Sequence, residues 1–288
     1  MQLALFAGLS FIPGFFWLWF FIRLNKIRPS PKRWVALTFF LGMLWSVPAG
    51  IINTATLPDD LLTGTVAMST FAVSMLLIVG PLEETCKFLA VRLGPYRSSY
   101  FTEPVDGLVY STAAALGFAS LENLGYVLQF GPEVLLVRGP LTTVAHLVFA
   151  SLWGYGLGVH QRSDRKRPWF VAATLASAAL LHAAFNIASF SGTYFWVSWL
   201  IVLAGGIWAY RRFEWGQRIS PLRLRRNYPL IECPNCTHQI RMLSTYCPQC
   251  GVPISPSFDT VICGNCRHPN GPDALYCDHC GDRFLTHS

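Results

Sequence analysis

Seven apolar blocks separated by short polar loops fill residues 1–213 of this 288-residue chain. A helix that crosses a hydrocarbon core needs roughly 20 mostly apolar residues. The pattern predicts membrane helices from Leu3 to Ile22, Trp34 to Ile52, Thr63 to Val91, Val105 to Phe130, Val134 to Val159, Trp169 to Phe190 and Tyr194 to Tyr210. The first block has no basic residue ahead of it and no small-residue cleavage site behind it, so a retained helix is expected rather than a signal peptide. Gly80-Pro81 interrupts the third block. Proline removes a backbone donor, so a kink is predicted there.

The polar loops alternate in charge. Arg23, Lys26, Arg28, Lys32 and Arg33 fill the first loop, Arg92 and Arg97 the third, and Arg162, Arg165, Lys166 and Arg167 the fifth. The second holds Asp59 and Asp60, the fourth only Arg138, and the sixth no charge. The positive-inside rule then places the N-terminus outside and the C-terminus in the cytoplasm. Only 13% of the residues are charged, against roughly 25% in a soluble domain. The formal charge of +7 is not a nucleic-acid signal, because most of the bases lie in loops beside apolar helices. The fold class expected is an all-α polytopic membrane protein of about seven spans, carrying a C-terminal cysteine-rich module. The divisions expected are a membrane domain over 1–213, a basic juxtamembrane linker over 214–228 and two small units over 229–256 and 257–288. The arginines of the linker suit anionic headgroups of the bilayer.

Five ionisable groups interrupt the apolar blocks: Glu83, Glu84, Glu122, His146 and His182. Such groups are expensive at bilayer depth and face cavities or functional sites. Lys87 stands four residues after Glu83, in the favourable order for a helical ion pair. Glu83 and Glu84 are about 100° apart on a helix and cannot face one partner equally. Glu122 shares a face with Phe118, and Asn123 adds an amide beside it. His146, Ala150 and Gly154 recur at intervals of four, as do His182 and Asn186. At about 1.5 Å per residue, His182 lies ~21 Å from Pro168, Glu122 ~25 Å from Val105 and His146 ~9 Å from Pro140. The three therefore meet in the outer half of the bilayer, with Glu83 nearer its middle. Asp106, at the start of the fourth span, reads as a helix N-cap rather than a catalyst. Cys86 reads as a packing residue.

The set Glu83-Glu84-x-x-Lys87, Phe118-x-x-x-Glu122-Asn123, His146 through Gly154, and His182-x-x-x-Asn186 resembles the PrsW family of intramembrane proteases, related to the CAAX-prenyl-protease and bacteriocin-processing superfamily. In the wider superfamily the second motif commonly ends in His, so Glu122 matches the PrsW branch. The resemblance covers about Thr63 to Phe190. It implies a multi-pass protein of the bacterial cell (inner) membrane that cleaves membrane-anchored substrates, typically in signalling that releases anti-sigma factors. In the mechanism implied, Glu83 or Glu84 activates water and Glu122 shares that task or protonates the leaving amine. His182 and Asn186 stabilise the oxyanion, while His146 positions water or donates a proton. Glu and His also suit a catalytic metal, but no His-Glu-x-x-His pattern occurs, and this favours metal-free chemistry. A second reading is a non-proteolytic scaffold or proton-coupled transporter, which would also use buried Glu and His.

Eight of the nine cysteines lie in the C-terminal module. Cys233-x-x-Cys236 and Cys247-x-x-Cys250 are followed by Cys263-x-x-Cys266 and Cys277-x-x-Cys280 at the same spacing. Tyr246 and Tyr276 each precede a second pair. Four thiolates at this spacing suit one tetrahedral Zn²⁺, so two structural zinc ions are expected, in a double zinc ribbon. Each unit is too poor in apolar residues to fold without metal. His238, His268 and His279 are left as surface residues. The module is expected to bind a cytoplasmic protein partner or to regulate the protease. Its sparse Arg241, Arg267 and Arg283 make nucleic acid the weaker option.

Overall fold

A computed structural model describes residues 2–25, 30–58, 60–61, 66–163, 166–218, 220, 230–241, 244, 246–254 and 261–270. Helices α1 (Gln2–Leu24) and α2 (Lys32–Thr56) come first. A third rod has three parts: α3 (Met68–Ser74), a π-helical turn (Met75–Val79) and α4 (Gly80–Leu93). Then follow α5 (Pro104–Phe130), the short α6 (Leu135–Val137), a second π-helical turn (Arg138–Thr142), α7 (Thr143–Arg162), α8 (Pro168–Phe190) and α9 (Phe195–Arg218). Among the described residues, five helical runs are long and apolar enough to cross a membrane: Leu5–Leu24, Lys32–Thr56, Pro132–Arg162, Pro168–Phe190 and Gly192–Arg218. The two further long rods, α3 through α4 and α5, carry the acids. Their sequences can be more polar because other helices cover them.

Helix α5 is the axis of the bundle. Every residue from Pro104 to Ser120 is buried, and α1, α2 and α7 pack around it. Small residues allow this. A Cβ on Gly42 of α2 would collide with the Ala114 carbonyl, and one on Gly117 with that of Phe39. Gly107 and Gly154 seat α5 against α7 in the same way. Lipid tails supply no hydrophobic drive between helices, so such close backbone contact carries the association. Large apolar side chains such as Phe40, Leu44, Leu77 and Leu203 face outward.

The predicted kink takes the form of the first π turn. The Gly80 amide donates to the Met75 carbonyl five residues back, one residue ahead of Pro81. Gly80 in turn lets α4 press against the backbone of Ala179 on α8. Three boundaries differ from those expected. The third rod starts at Met68, and residues 62–65 lie outside the described set. The fifth span begins as short 3₁₀, α and π turns before α7. Helix α9 continues to Arg218, because Phe213 and Gly216 are buried and Gly216 packs on Val105. Glu214–Arg218, read as linker, are therefore helical. Asp106 is also not the cap residue itself: Glu103 is, and Asp106 reaches back from inside the first turn to accept from the amides of Thr102 and Glu103 at 2.9 and 2.8 Å.

The basic loops gather at one end of the bundle. There Gln217 donates to the Leu24 carbonyl at 2.6 Å and Arg33 donates to Tyr100 Oη at 2.8 Å. The first zinc-ribbon unit lies at this end. Its strands β1 (Leu230–Glu232) and β2 (Gln239–Arg241) pair antiparallel, as do β3 (Val261–Ile262) and β4 (Pro269–Asn270) of the second. Thr237 and Arg267, each just after a Cys-x-x-Cys, share the same left-handed φ of 56°. The duplication read from the cysteines is thus a duplication of backbone geometry.

Alanine is a better helix former than glycine by ~1 kcal/mol. Gly42→Ala should nonetheless lower the unfolding temperature in detergent, whereas Gly206→Ala, with open space around its Cβ, should hold or raise it. A Gly42→Ala protein as stable as the parent would contradict the packing described.

Candidate active site

Helices α4, α5, α7 and α8 bring all six of the intramembrane residues singled out from sequence to one cavity or its wall. The cavity is about 1020 Å³ and lies toward the end opposite the basic loops. Asn53, Glu83, Glu122, Arg138, His146, His182 and Asn186 line it. Glu84 stands behind it, fully buried.

The two adjacent glutamates have different surroundings, as their 100° offset requires. Glu84 Oε1 accepts from Lys87 Nζ at 2.7 Å and lies 3.0 Å from His182 Nδ1. Its Oε2 accepts from Trp153 Nε1 at 3.0 Å. Lys87 is also fully buried, with its ammonium 4.6 Å from the centre of the Phe118 ring. The order Glu83–Lys87 suggested the i,i+4 pair, yet the tight partner of Lys87 is Glu84; Glu83 Oε2 is 3.7 Å away. Glu83 Oε2 is buried and accepts no hydrogen bond, while Oε1 has only a long contact of 3.5 Å from Asn53.

Both imidazoles are oriented from behind by a carboxylate. His182 turns Nδ1 to Glu84, which leaves Nε2 3.8 Å from Glu83 Oε2. His146 turns Nε2 to Glu122 at 3.0 Å, which leaves Nδ1 buried without a partner. A neutral imidazole that donates through one nitrogen presents a lone pair at the other. The two rings lie 5.1 Å apart, and Phe149 stacks on His182 at 5.0 Å. One donor atom from each of Glu83, His146 and His182 falls within 4.8 Å of the other two. Asn186, one turn beyond His182, lines the cavity with its amide directed at Met75 Sδ at 3.5 Å.

Two further side chains build the site and were missed in the sequence. Arg138 lies 3.2 Å from Glu122 Oε1, donates to Asn123 Oδ1 at 2.9 Å and stands 3.6 Å over the Tyr126 ring. Asn123 donates on to Thr143 at 3.0 Å, whose hydroxyl donates to the Arg138 carbonyl at 3.0 Å. This closed circuit fixes Arg138, which stands beside Glu122 as its ion-pair partner. Arg138 is the single base of its loop in the sequence, which was the available signal. Trp153 follows His146 by seven residues and so shares its face, a spacing that would have marked it.

In the ribbon module the sulfurs of Cys233, Cys236, Cys247 and Cys250 lie within 4.8 Å of one another, as a structural zinc site requires. The amides of Thr237 and Gly251 donate to the carbonyls of Cys233 and Cys247 at 2.9 and 2.8 Å. These are the two knuckle turns. Cys263 and Cys266 repeat the first knuckle, with Arg267 donating to Cys263 at 2.8 Å. Cys277 and Cys280 lie outside the described residues, as do His279 and Tyr276.

Acids and imidazoles enclosed by apolar helices define a multi-pass membrane protein with a buried polar site. Residues 30–208 match the family described as PrsW family intramembrane metalloprotease, and 233–282 match the double zinc ribbon. The chain belongs to the PrsW family and is a peptidase of the membrane. It is 28% identical over 204 residues to Protease PrsW of Geobacillus kaustophilus, covering 71% of this chain and 81% of the relative. It is 30% identical over 181 residues to Protease PrsW of Bacillus subtilis, covering 62% and 79%. No solved structure matches.

Loss of a group that orients a ligand or catalyst from behind costs roughly 10–100-fold in activity. Arg138→Ala is expected to lower kcat by that order with little change in KM, and Arg138→Lys to restore part of it, measured on a single-span substrate. A wild-type kcat for Arg138→Ala would remove Arg138 from the positioning role.

Proposed function

We propose that the chain hydrolyses a peptide bond of a membrane-anchored protein substrate, using water activated in the cavity between Glu83, His146 and His182. The observation that carries this reading is the unfilled donor set: Glu83 Oε2 and His146 Nδ1 are buried and take no hydrogen bond, and the other nitrogen of each ring stands 3.0 Å from a carboxylate. A proton relay needs its groups linked to one another in a chain. Here the free atoms converge on a space instead.

Glu83 is the acceptor for the water's proton, because its Oε2 is free and faces the cavity. Glu84, bound by three donors, is a positioning group that sets His182 and balances Lys87. Glu122 sets His146 and is itself held by Arg138. Its side chain keeps about a fifth of its surface accessible, at 22%, so it can take over the proton that Glu83 removes from the water and pass it to the leaving amine. Asn186, one turn beyond His182 in the cavity wall, is the neutral donor available to the developing oxyanion; His182 joins it only as an imidazolium with Nε2 protonated.

The same residues fit a divalent metal, and a specific observation favours that second reading. If all three glutamates are ionised, Lys87 and Arg138 leave one negative charge in excess, beside two imidazole lone pairs. Glu83, His146 and His182 would hold the ion, with Glu84 and Glu122 as the outer carboxylates that orient metal-bound histidines. Such an ion would supply Lewis-acid polarisation of the water and of the scissile carbonyl. The name of the family accords with this choice, whereas the missing His-Glu-x-x-His pattern had favoured the metal-free one.

We further propose the division into a membrane domain over 1–213, a linker over 214–228 whose first five residues continue α9, and ribbons over 229–256 and 257–288. The basic end is cytoplasmic and the cavity opens toward the outer face. Substrates of the anti-sigma-factor type, single-span proteins in signalling, suit a cavity at that depth.

Glu83→Gln should abolish cleavage while leaving the unfolding temperature within a few degrees of the parent. Metal analysis of the same preparations reads the second proposal: the ribbons should hold two Zn²⁺ per chain, and a third ion should be present in the parent and lost from the His146→Ala, His182→Ala double variant. Normal cleavage by Glu83→Gln would overturn the hydrolytic role. A parent holding two ions, fully active after chelator treatment that leaves the ribbons loaded, would overturn the metal.

A further inference from the structure

We propose that the basic end of the membrane domain, at Arg33 and Tyr100, is a docking surface for the chain's own first zinc ribbon, and that α2 carries this contact to the catalytic cavity. The proposal rests on the proteolytic reading above for its effect on activity, but not for the docking itself.

The second knuckle of the ribbon, Pro248 to Gly251, sits directly on this surface. The Gly251 carbonyl accepts from Tyr100 Oη and, at 3.0 Å, from Arg33 Nη2. Arg33 also donates to Tyr100 Oη at 2.8 Å, so the two donors to this carbonyl are bonded to each other as well. Beside them Lys32 donates through its backbone amide to the Pro248 carbonyl at 3.3 Å, and through Nζ to Gln249 Oε1 at 2.8 Å. The Tyr246 ring stands edge-on to Tyr100 with centroids 4.6 Å apart. Most of these contacts go to the backbone of the knuckle, and the knuckle takes that shape only when Cys247 and Cys250 are held by metal. The surface is therefore matched to a zinc-loaded ribbon and not to an unfolded one. Gly251, with φ of 72°, is buried here, and a Cβ on it would run into the Arg33 guanidinium. Left-handed backbone alone does not demand glycine in these knuckles, since Thr237 and Arg267 adopt it with full side chains.

Helix α2 joins this surface to the site. Lys32 and Arg33 are its first residues, and near its far end Asn53 contacts Glu83 Oε1 while Ser46 and Ala49 line the cavity. Between the two ends, Gly42 packs on the backbone of Ala114 and Phe39 on Gly117, and Pro48 interrupts the helix hydrogen bonding just ahead of Ala49 and Asn53. A displacement of the first turn reaches Asn53 through these α5 contacts and the Pro48 step. Docked, the ribbon holds α2 where the catalytic groups are assembled. Undocked, α2 loses a fixed end. In this arrangement zinc in the ribbon is a condition for full proteolytic activity, although the ribbon lies at the opposite end from the chemistry.

The test uses the full-length chain in lipid nanodiscs with a benzophenone amino acid in place of Lys32. Capture of the peptide 246–254 is expected in the zinc-loaded protein and should be lost in Cys233→Ser, which disables the first ribbon. Gly251→Asn keeps a residue suited to left-handed backbone but fills the space of Arg33. It should retain its zinc, lose the cross-link and cleave substrate several-fold more slowly, through kcat. Absence of the cross-link in the loaded parent, or its persistence in Cys233→Ser, would overturn the docking. Loss of the cross-link in Gly251→Asn with cleavage at the parental rate would overturn the coupling. A parent that cross-links but cleaves nothing supports the docking and counts against the hydrolytic reading instead.

Discussion

The carboxylate of Glu84 holds the site together. It is fully buried and takes hydrogen bonds from Lys87 on its own helix, His182 on α8 and Trp153 on α7. A charge in that position is strongly unfavourable alone, and removing one partner of a buried pair commonly costs 3–5 kcal/mol. The bundle therefore cannot bring α4, α7 and α8 together in another register without leaving Lys87 or Glu84 stranded. Burial of a charge acts here as a specification of geometry. The helix backbones can meet because α5 is lined with small residues, and the π turn before Pro81 aims α4 inward.

From that arrangement the chemistry follows. Once Glu84 takes His182 Nδ1 and Glu122 takes His146 Nε2, the remaining nitrogens and the free oxygen of Glu83 share one space. Two carboxylates stand behind the imidazoles, and the third, Glu83, is the acid proposed to take the proton from water. The family to which the chain belongs supplies the reaction class, and the donor set supplies the residues proposed for it. The zinc module is attached to the end of the bundle farthest from the cavity, yet it touches the helix that contributes Asn53.

Much of this was legible in the chain. Apolar blocks and alternating loop charge gave the helical rods, and of the five ionisable residues in apolar surroundings four line one cavity while Glu84 stands behind it. Cysteine spacing gave the ribbons. What the pattern could not resolve was which partner each charge takes. Lys87 is spaced for both Glu83 and Glu84, and only the rotation of α4 against α8 chooses Glu84. Arg138 looked like a loop residue because its π turn, which tucks it back over Glu122 and Tyr126, has no sequence period of its own. The end of α9 was set too early because burial of Phe213 against Phe21 of α1 and of Gly216 against Val105 of α5 outweighs the polar composition after Tyr210. Contact between the ribbon and Arg33 joins residues more than 200 apart, and nothing local marks it.

The claim that one acid assembles the site while its neighbour reacts is tested most directly by a double-mutant cycle on Glu84→Gln and Lys87→Met, read as unfolding free energy in detergent. A coupling of ~2 kcal/mol or more is expected, with the double variant more stable than the two single losses combined would allow. Additive losses, with a coupling near zero, would show that this buried pair does not hold the bundle and would contradict the account.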